Sequence, residues 1–186
     1  AGAARAAALR AENVHFVRGE PARIDHVALS QPPDEFDGAL LLYRGLLRLE
    51  PHESDELPLP EALVRGRALA DAARAVRLTL DVGDPAALEH VAFACDDALA
   101  VARRCSPLRV SDNYYDDLAA RGALARTRVE ELRAHGVLYD RDDGGGELLH
   151  LFTDVAGGVF FEFVERRGGY DGYGAVNAAV RRRAQR

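Results

Sequence analysis

The chain has 186 residues, 48% apolar and 29% charged, which is enough for one folded domain with a real core and excludes a disordered or low-complexity segment. A formal net charge of −6, with basic groups scattered except at Arg181, Arg182 and Arg183, excludes an electrostatic nucleic-acid surface. All 24 basic residues are arginine, so lysine Schiff-base chemistry and a P-loop lysine are excluded too.

Residues 1–23 show neither strand alternation nor a helical period and read as a leader or interdomain linker. The alanine-rich opening is broken by Arg5 and lacks the apolar segment of a signal peptide. No apolar run approaches the length of a membrane span, and Cys95 with Cys105 makes no disulfide framework, so a cytoplasmic protein is expected. The absence of an initiator methionine suggests a piece of a longer chain.

A strand is predicted over residues 24–30, with His26 at its centre. Pro32 and Pro33 followed by Asp34, Glu35 and Asp37 signal a helix start, and the helix should run to about Leu49 with Phe36, Leu40, Tyr43, Leu46 and Leu47 on its apolar face. A polar, proline-containing loop follows. Residues 63–69 and 75–81 alternate apolar with polar as a half-buried hairpin does, and Gly83, Asp84 and Pro85 close the unit.

The pattern then restarts. Leu88-Glu89-His90-Val91-Ala92-Phe93 repeats Ile24-Asp25-His26-Val27-Ala28-Leu29 as apolar, acid, His, Val, Ala, apolar. A helix is predicted over 96–104, two inserted helices over 114–121 and 127–135, strands over 137–140, 148–153 and 158–165, and a closing helix over 175–184. The chain is therefore an α+β fold of two repeated β-α-β-β-β modules, about 24–82 and 88–165, within a domain spanning 24–186.

The six histidines divide by context. His15, His52 and His135 sit in linker, loop and helix end and read as solvated or capping residues. His26 and His90 occupy the same place in two repeats, each inside an apolar strand where an imidazole needs a partner. Paired across a pseudo-twofold, they point to a shared ligand. Glu162, between aromatics on the last strand, needs a cation there, either an arginine or a metal. Two histidines and one carboxylate make a facial triad suited to non-haem Fe(II), and zinc, manganese or magnesium would use the same donors for Lewis-acid work. His150 is open to three readings: a fourth ligand, an acid–base group behind the metal, or a core histidine. The glycine-rich stretch 168–174 imitates a phosphate loop weakly and reads better as a hinge that lets Tyr173 swing over a cavity mouth. No serine or cysteine has the context of an activated nucleophile.

These strand histidines, with Phe160-Phe161-Glu162-Phe163-Val164-Glu165-Arg166-Arg167-Gly168, resemble the vicinal-oxygen-chelate superfamily, and more narrowly the C-terminal catalytic half of 4-hydroxyphenylpyruvate dioxygenase. Gly172-Tyr173-Gly174-Ala175-Val176-Asn177 is similar to that family's gate before its closing helix. Asp112-Asn113-Tyr114-Tyr115-Asp116-Asp117-Leu118 and Gly169-Tyr170-Asp171-Gly172-Tyr173-Gly174 look closer to the dioxygenase-like C-terminal domain of two-part bacterial 3-dehydroshikimate dehydratases, in which a barrel precedes it. The resemblance implies an open-barrel domain with His26, His90 and Glu162 as metal ligands, Tyr173 at the gate and Asn177 supporting it. The dioxygenase's three polar substrate contacts fall on Gly66, Asp81 and His150 here, so a different substrate is expected.

The function expected is a dioxygenase acting on a 2-oxo acid or a related aromatic-pathway metabolite. Fe(II) leads Mg, Mn or Zn as cofactor, Asp81, Tyr173 and Asn177 bind substrate, and His150 is the expected catalytic residue. The alternatives are a metal-dependent lyase, namely the C-terminal domain of a 3-dehydroshikimate dehydratase, and a non-catalytic regulatory or assembly module of it. The expected partners are a small-molecule substrate, an N-terminal barrel in a longer parent and a second copy of the chain, with neither nucleic acid nor membrane.

Overall fold

The computed structural model describes residues 23–58, 63–83 and 87–185; the leader 1–22 lies outside them, and Arg23 already belongs to the first strand. The elements run β1 (Arg23–Gln31), α1 (Phe36–Leu47), β2 (Glu50–Pro58), β3 (Leu63–Ala70), β4 (Arg77–Val82), β5 (Ala87–Ala94), α2 (Ala98–Ala102), α3 (Asp112–Ala120), α4 (Arg126–His135), β6 (Leu138–Arg141), β7 (Glu147–Phe152), β8 (Phe160–Arg167), a 3₁₀ turn (Ala175–Asn177) and α5 (Ala178–Ala184). Local chemistry sets several boundaries. Asp97 accepts from Ala100 N to cap α2, Ser111 accepts from Asn113 N to cap α3, and Gly136 ends α4 in the left-handed conformation.

All eight strands form one mixed, curled sheet in the order β2-β3-β4-β1-β5-β8-β7-β6. β1 and β5 lie antiparallel at its centre, β4 runs parallel to β1, and β8 runs parallel to β5. The order reads as two β-α-β-β-β modules related by a pseudo-twofold between β1 and β5, which is the repeat that the sequence shows. The register makes the equivalence residue by residue: Ala28 pairs with Thr79, and Ala92, 64 positions later, pairs with Glu162.

Two expectations change. The supposed loop after the first helix contains β2, which among the described residues is an edge strand paired with β3 alone. Its charges and prolines mask the strand pattern, yet they are what an edge strand tolerates, because one side of its backbone needs no sheet partner. On α1, Phe36 is buried and Leu40 and Tyr43 pack on the sheet, but Leu46 and Leu47 are exposed. The helix turns its last apolar positions beyond the contact.

Strand alternation sends the two faces of the sheet to different tasks. Leu69 and Leu78 pack with Leu49 beneath α1. In the second module Leu149 and Leu151 pack with Val129, Leu132 and Tyr115 beneath the inserted helices. The opposite, concave face is thus left free for polar side chains. Among the described residues no helix is long and apolar enough to cross a membrane, and Cys95 and Cys105 are free thiols.

Candidate metal centre

Each site histidine follows an acid at a β-bulge. On β1 the register jumps across Asp25, since Ile24 pairs with Phe93 and His26 with Ala92; on β5 it jumps across Glu89, since Ala28 pairs with His90 and Leu29 with Leu88. The extra residue re-aims its neighbours. As a result Asp25 lies buried beside His26 and its Oδ1 accepts from His26 Nδ1 at 2.9 Å. That bond leaves His26 Nε2 as the atom directed into the concave face.

Three atoms meet there. His26 Nε2 and His90 Nε2 are 3.3 Å apart, and each is 3.2 Å from Glu162 Oε2. An octahedral face with metal–donor bonds of about 2.1–2.2 Å has edges of about 3.0 Å, so this triangle fits a divalent cation with little adjustment. Among the described residues the hydrogen-bonding partners of Glu162 are His150, His26 and His90, and His26, His90 and Glu162 form a group able to hold a metal. The first module's counterpart of Glu162 is Thr79, a neutral and short side chain. The site therefore has three strong donors where full twofold symmetry would give four.

Behind the triangle stands a relay that fixes Glu162. Asn177 Nδ2 donates to Tyr139 O at 3.1 Å and to His150 Nε2 at 2.8 Å. His150 Nε2 must accept, so His150 Nδ1 carries the proton and donates to Glu162 Oε1 at 2.7 Å. One carboxylate oxygen is thus held from behind while the other faces the two histidines, the arrangement by which outer partners orient metal ligands. Burial pushes the Glu162 pKa up, but hydrogen bonds from His150 and His26 overcome it and hold the group well below the usual carboxylate range. Burial also opposes a charge on His26, yet the Asp25 and Glu162 carboxylates outweigh it and raise its pKa. His90, whose Nδ1 has no hydrogen-bond partner among the described residues, is pushed down by burial.

His26, His90, Glu162, Asp81 and Tyr173 line one cavity of about 70 Å³ with Thr79, Phe152, Arg181 and Arg182. His150 and Asn177 are buried behind Glu162 and do not line it. Both ring nitrogens of His150 are engaged, which makes it a positioning residue in this geometry. Sequence reasoning missed Asp25, Thr79 and the arginines. Arg166 forks onto Asp25 at 2.8 and 2.9 Å and also donates to Gly172 O, tying the gate segment to the His26 side of the site. Arg181 donates to Glu89 at 3.0 Å and lies over Phe160, and Arg182 donates to Asp81 at 3.0 Å. The run at 181–183 was the only signal for the last two, and it reads as surface charge until the helix is placed.

His52 lies on β2, not in a loop, and it meets Asp171 and Arg74. Asp171 is also paired with Arg74 and Arg77, so the gate segment is pinned to the first module. His135 ends α4 as expected, and His15 is outside the described residues.

Gly174 shows how closely the gate packs on the relay. Its φ is +63°, and a Cβ there would lie 2.7 Å from His150 Cε1. Gly174→Ala should cost about 1–3 kcal/mol in backbone strain and overlap. By pushing His150 off Glu162 it should also weaken metal binding by about 10–100-fold. Urea denaturation and a metal titration read the two effects separately.

Two β-α-β-β-β modules curled into one sheet give this chain a vicinal-oxygen-chelate fold, with the triangle of His26, His90 and Glu162 on its concave face. No family model matches it. It is 37% identical over 179 residues to the 3-dehydroshikimate dehydratase of Pseudomonas putida, an alignment covering 86% of this chain and 28% of that enzyme. It is 34% identical over 100 residues to the 4-hydroxyphenylpyruvate dioxygenase of Pseudomonas sp. strain P.J. 874, covering 48% of this chain and 28% of the dioxygenase. Among solved structures, a xylose isomerase-like TIM barrel/4-hydroxyphenylpyruvate dioxygenase fusion protein superposes with a TM-score of 0.80 at 36% identity, over 90% of this chain and 30% of the fusion. The domain thus resembles the C-terminal half of 4-hydroxyphenylpyruvate dioxygenase, and it spans about 28% of the length of the dehydratase and dioxygenase relatives, which are named as enzymes.

Proposed function

We propose that the chain is a non-haem iron dioxygenase domain that takes a small 2-oxo acid. The observation that carries this reading is the triangle of His26 Nε2, His90 Nε2 and Glu162 Oε2, with edges of 3.2–3.3 Å, at the base of a cavity. His26, His90 and Glu162 would hold Fe(II), which would supply the redox chemistry with dioxygen. The chain's own groups do the rest. Asp25 holds His26 in the tautomer that presents Nε2. Asn177, through His150, keeps Glu162 Oε2 forward. Thr79, in place of a fourth ligand, leaves the first module's side of the centre to substrate. Tyr173, with its ring 5.2 Å from that of His26, caps the cavity and keeps bulk water from it.

The dehydratase relative favours a second reading, in which this domain accompanies a barrel that performs a dehydration in a longer parent chain, as a lyase component or as a regulatory module. His150 cannot supply free acid–base capacity to a lyase step while Asn177 and Glu162 occupy its two nitrogens. Oxygen uptake separates the readings. Iron-loaded protein given a panel of aryl and alkyl 2-oxo acids should consume dioxygen, and zinc-loaded protein should not. Absence of uptake with iron demonstrably bound, together with loss of 3-dehydroshikimate under anaerobic conditions, would establish the lyase instead.

A further inference from the structure

The two site histidines occupy equivalent places in the repeat, yet they are supported differently. His26 Nδ1 is bonded to Asp25, the acid that precedes it at the β1 bulge, and Asp25 is itself held by Arg166. His90 follows Glu89 at the matching bulge in β5. Glu89 is likewise held by an arginine, its Oε1 accepting from Arg181 Nη2 at 3.0 Å. The bond from arginine to acid is thus present in both modules, and the bond from histidine to acid in the first. In the second module two buried atoms have no hydrogen-bond partner among the described residues, and they are Glu89 Oε2 and His90 Nδ1.

When His90 binds a metal through Nε2, its ring proton sits on Nδ1, and a buried N–H without an acceptor is costly. Glu89 Oε2, on the preceding residue, can accept that bond without giving up another. We infer that Glu89 is the positioning residue of His90: with the site occupied, its Oε2 accepts from His90 Nδ1–H while its Oε1 keeps Arg181. The inference rests on the metal reading of His26, His90 and Glu162. Its consequence reaches the closing helix, because Arg181 belongs to α5 and is only 4% exposed. The same guanidinium lies 4.7 Å over the Phe160 ring, which stacks on His90. Arg182, also from α5, stands 3.9 Å from Glu89 Oε1. Asp25 makes no such link, since its arginine comes from β8. Glu89 therefore joins α5 to the second metal histidine, and by linkage the metal and the docked helix each strengthen the other's hold.

Zinc(II) titrations read both links. Proton–nitrogen NMR of protein labelled in its histidine rings should show His90 Nδ1–H protected from exchange in the zinc-loaded wild type and exposed to exchange in Glu89→Ala. Zinc affinity in that variant should fall by about 10–100-fold. Zinc should slow hydrogen exchange of the α5 amides by at least ~5-fold in wild type and leave it unmoved in Glu89→Ala. Arg181→Met, which keeps Glu89, should also abolish the response of α5 to zinc while His90 Nδ1–H stays protected. Circular dichroism checks that each variant is folded, and should Glu89→Ala not fold, wild type and Arg181→Met decide. Zinc affinity in Glu89→Ala within about threefold of wild type, α5 exchange in wild type that ignores zinc, or a response that survives in Arg181→Met overturns the inference and leaves the metal reading standing. If zinc shifts the ring signals of neither His26 nor His90, the metal reading fails and the role of Glu89 fails with it.

Discussion

Replacing Glu162 by glutamine is expected to leave the domain folded and to lower divalent-metal affinity by more than ~100-fold, since loss of an outer partner alone costs about 10–100-fold. The side chain keeps its size in a position only 2% exposed. Its amide, however, can satisfy just one neighbour well. Turning the amide oxygen toward the His150 Nδ1–H, which now donates to Glu162 Oε1 at 2.7 Å, aims the NH₂ at His26 and His90, where a cation requires a lone pair. Glu162→Ala goes further by leaving the His150 donor buried without an acceptor, so it should lose stability as well as metal. Equilibrium dialysis and urea denaturation on both variants distinguish a missing ligand from a damaged fold.

Asp25→Ala should be the most destabilising single change, at about 3–5 kcal/mol, because it removes the partner of a largely buried guanidinium. The lower end of that range is expected, as the Arg166 side chain retains 16% exposure to water. Three structures would loosen together: the His26 tautomer, the β1 bulge, and the gate segment that Arg166 holds through Gly172 O. Burial raises the Asp25 pKa, but the hydrogen bonds from Arg166 and His26 outweigh it and hold the carboxyl well below the usual carboxylate range. Asp25 contributes its full stability above pH 3.8, and that contribution declines as pH falls from there through the depressed folded value. Urea midpoints of wild type and Asp25→Ala should therefore converge at strongly acidic pH.

The repeat was legible because each module opens with the same apolar-acid-His-Val-Ala-apolar strand, and burying two such strands side by side requires the same topology twice. Both histidines and Glu162 were readable for a related reason, as polar side chains in otherwise apolar strands need a partner. β2 was hidden because an edge strand pairs on one side only and tolerates charge and proline. Asp25 and Glu89 looked like ordinary alternation, since a one-residue bulge changes where a side chain points without changing the pattern of residue types. Thr79 becomes visible as the counterpart of Glu162 only through the strand register. His150 and Asn177 stand 27 positions apart and acquire their joint task from the turn that brings Gly174 onto His150. Local sequence cannot report a contact that the tertiary fold creates.

The most direct test of the metal site is an X-ray absorption spectrum of cobalt(II)-loaded protein beside that of Glu162→Gln. Two imidazole nitrogens and at least one carboxylate oxygen should surround the metal in the wild type, and that signature should be lost in the variant. A spectrum without histidine scattering, or one that Glu162→Gln leaves unaltered, would show that the cation binds elsewhere and that the triangle of His26, His90 and Glu162 is not its site.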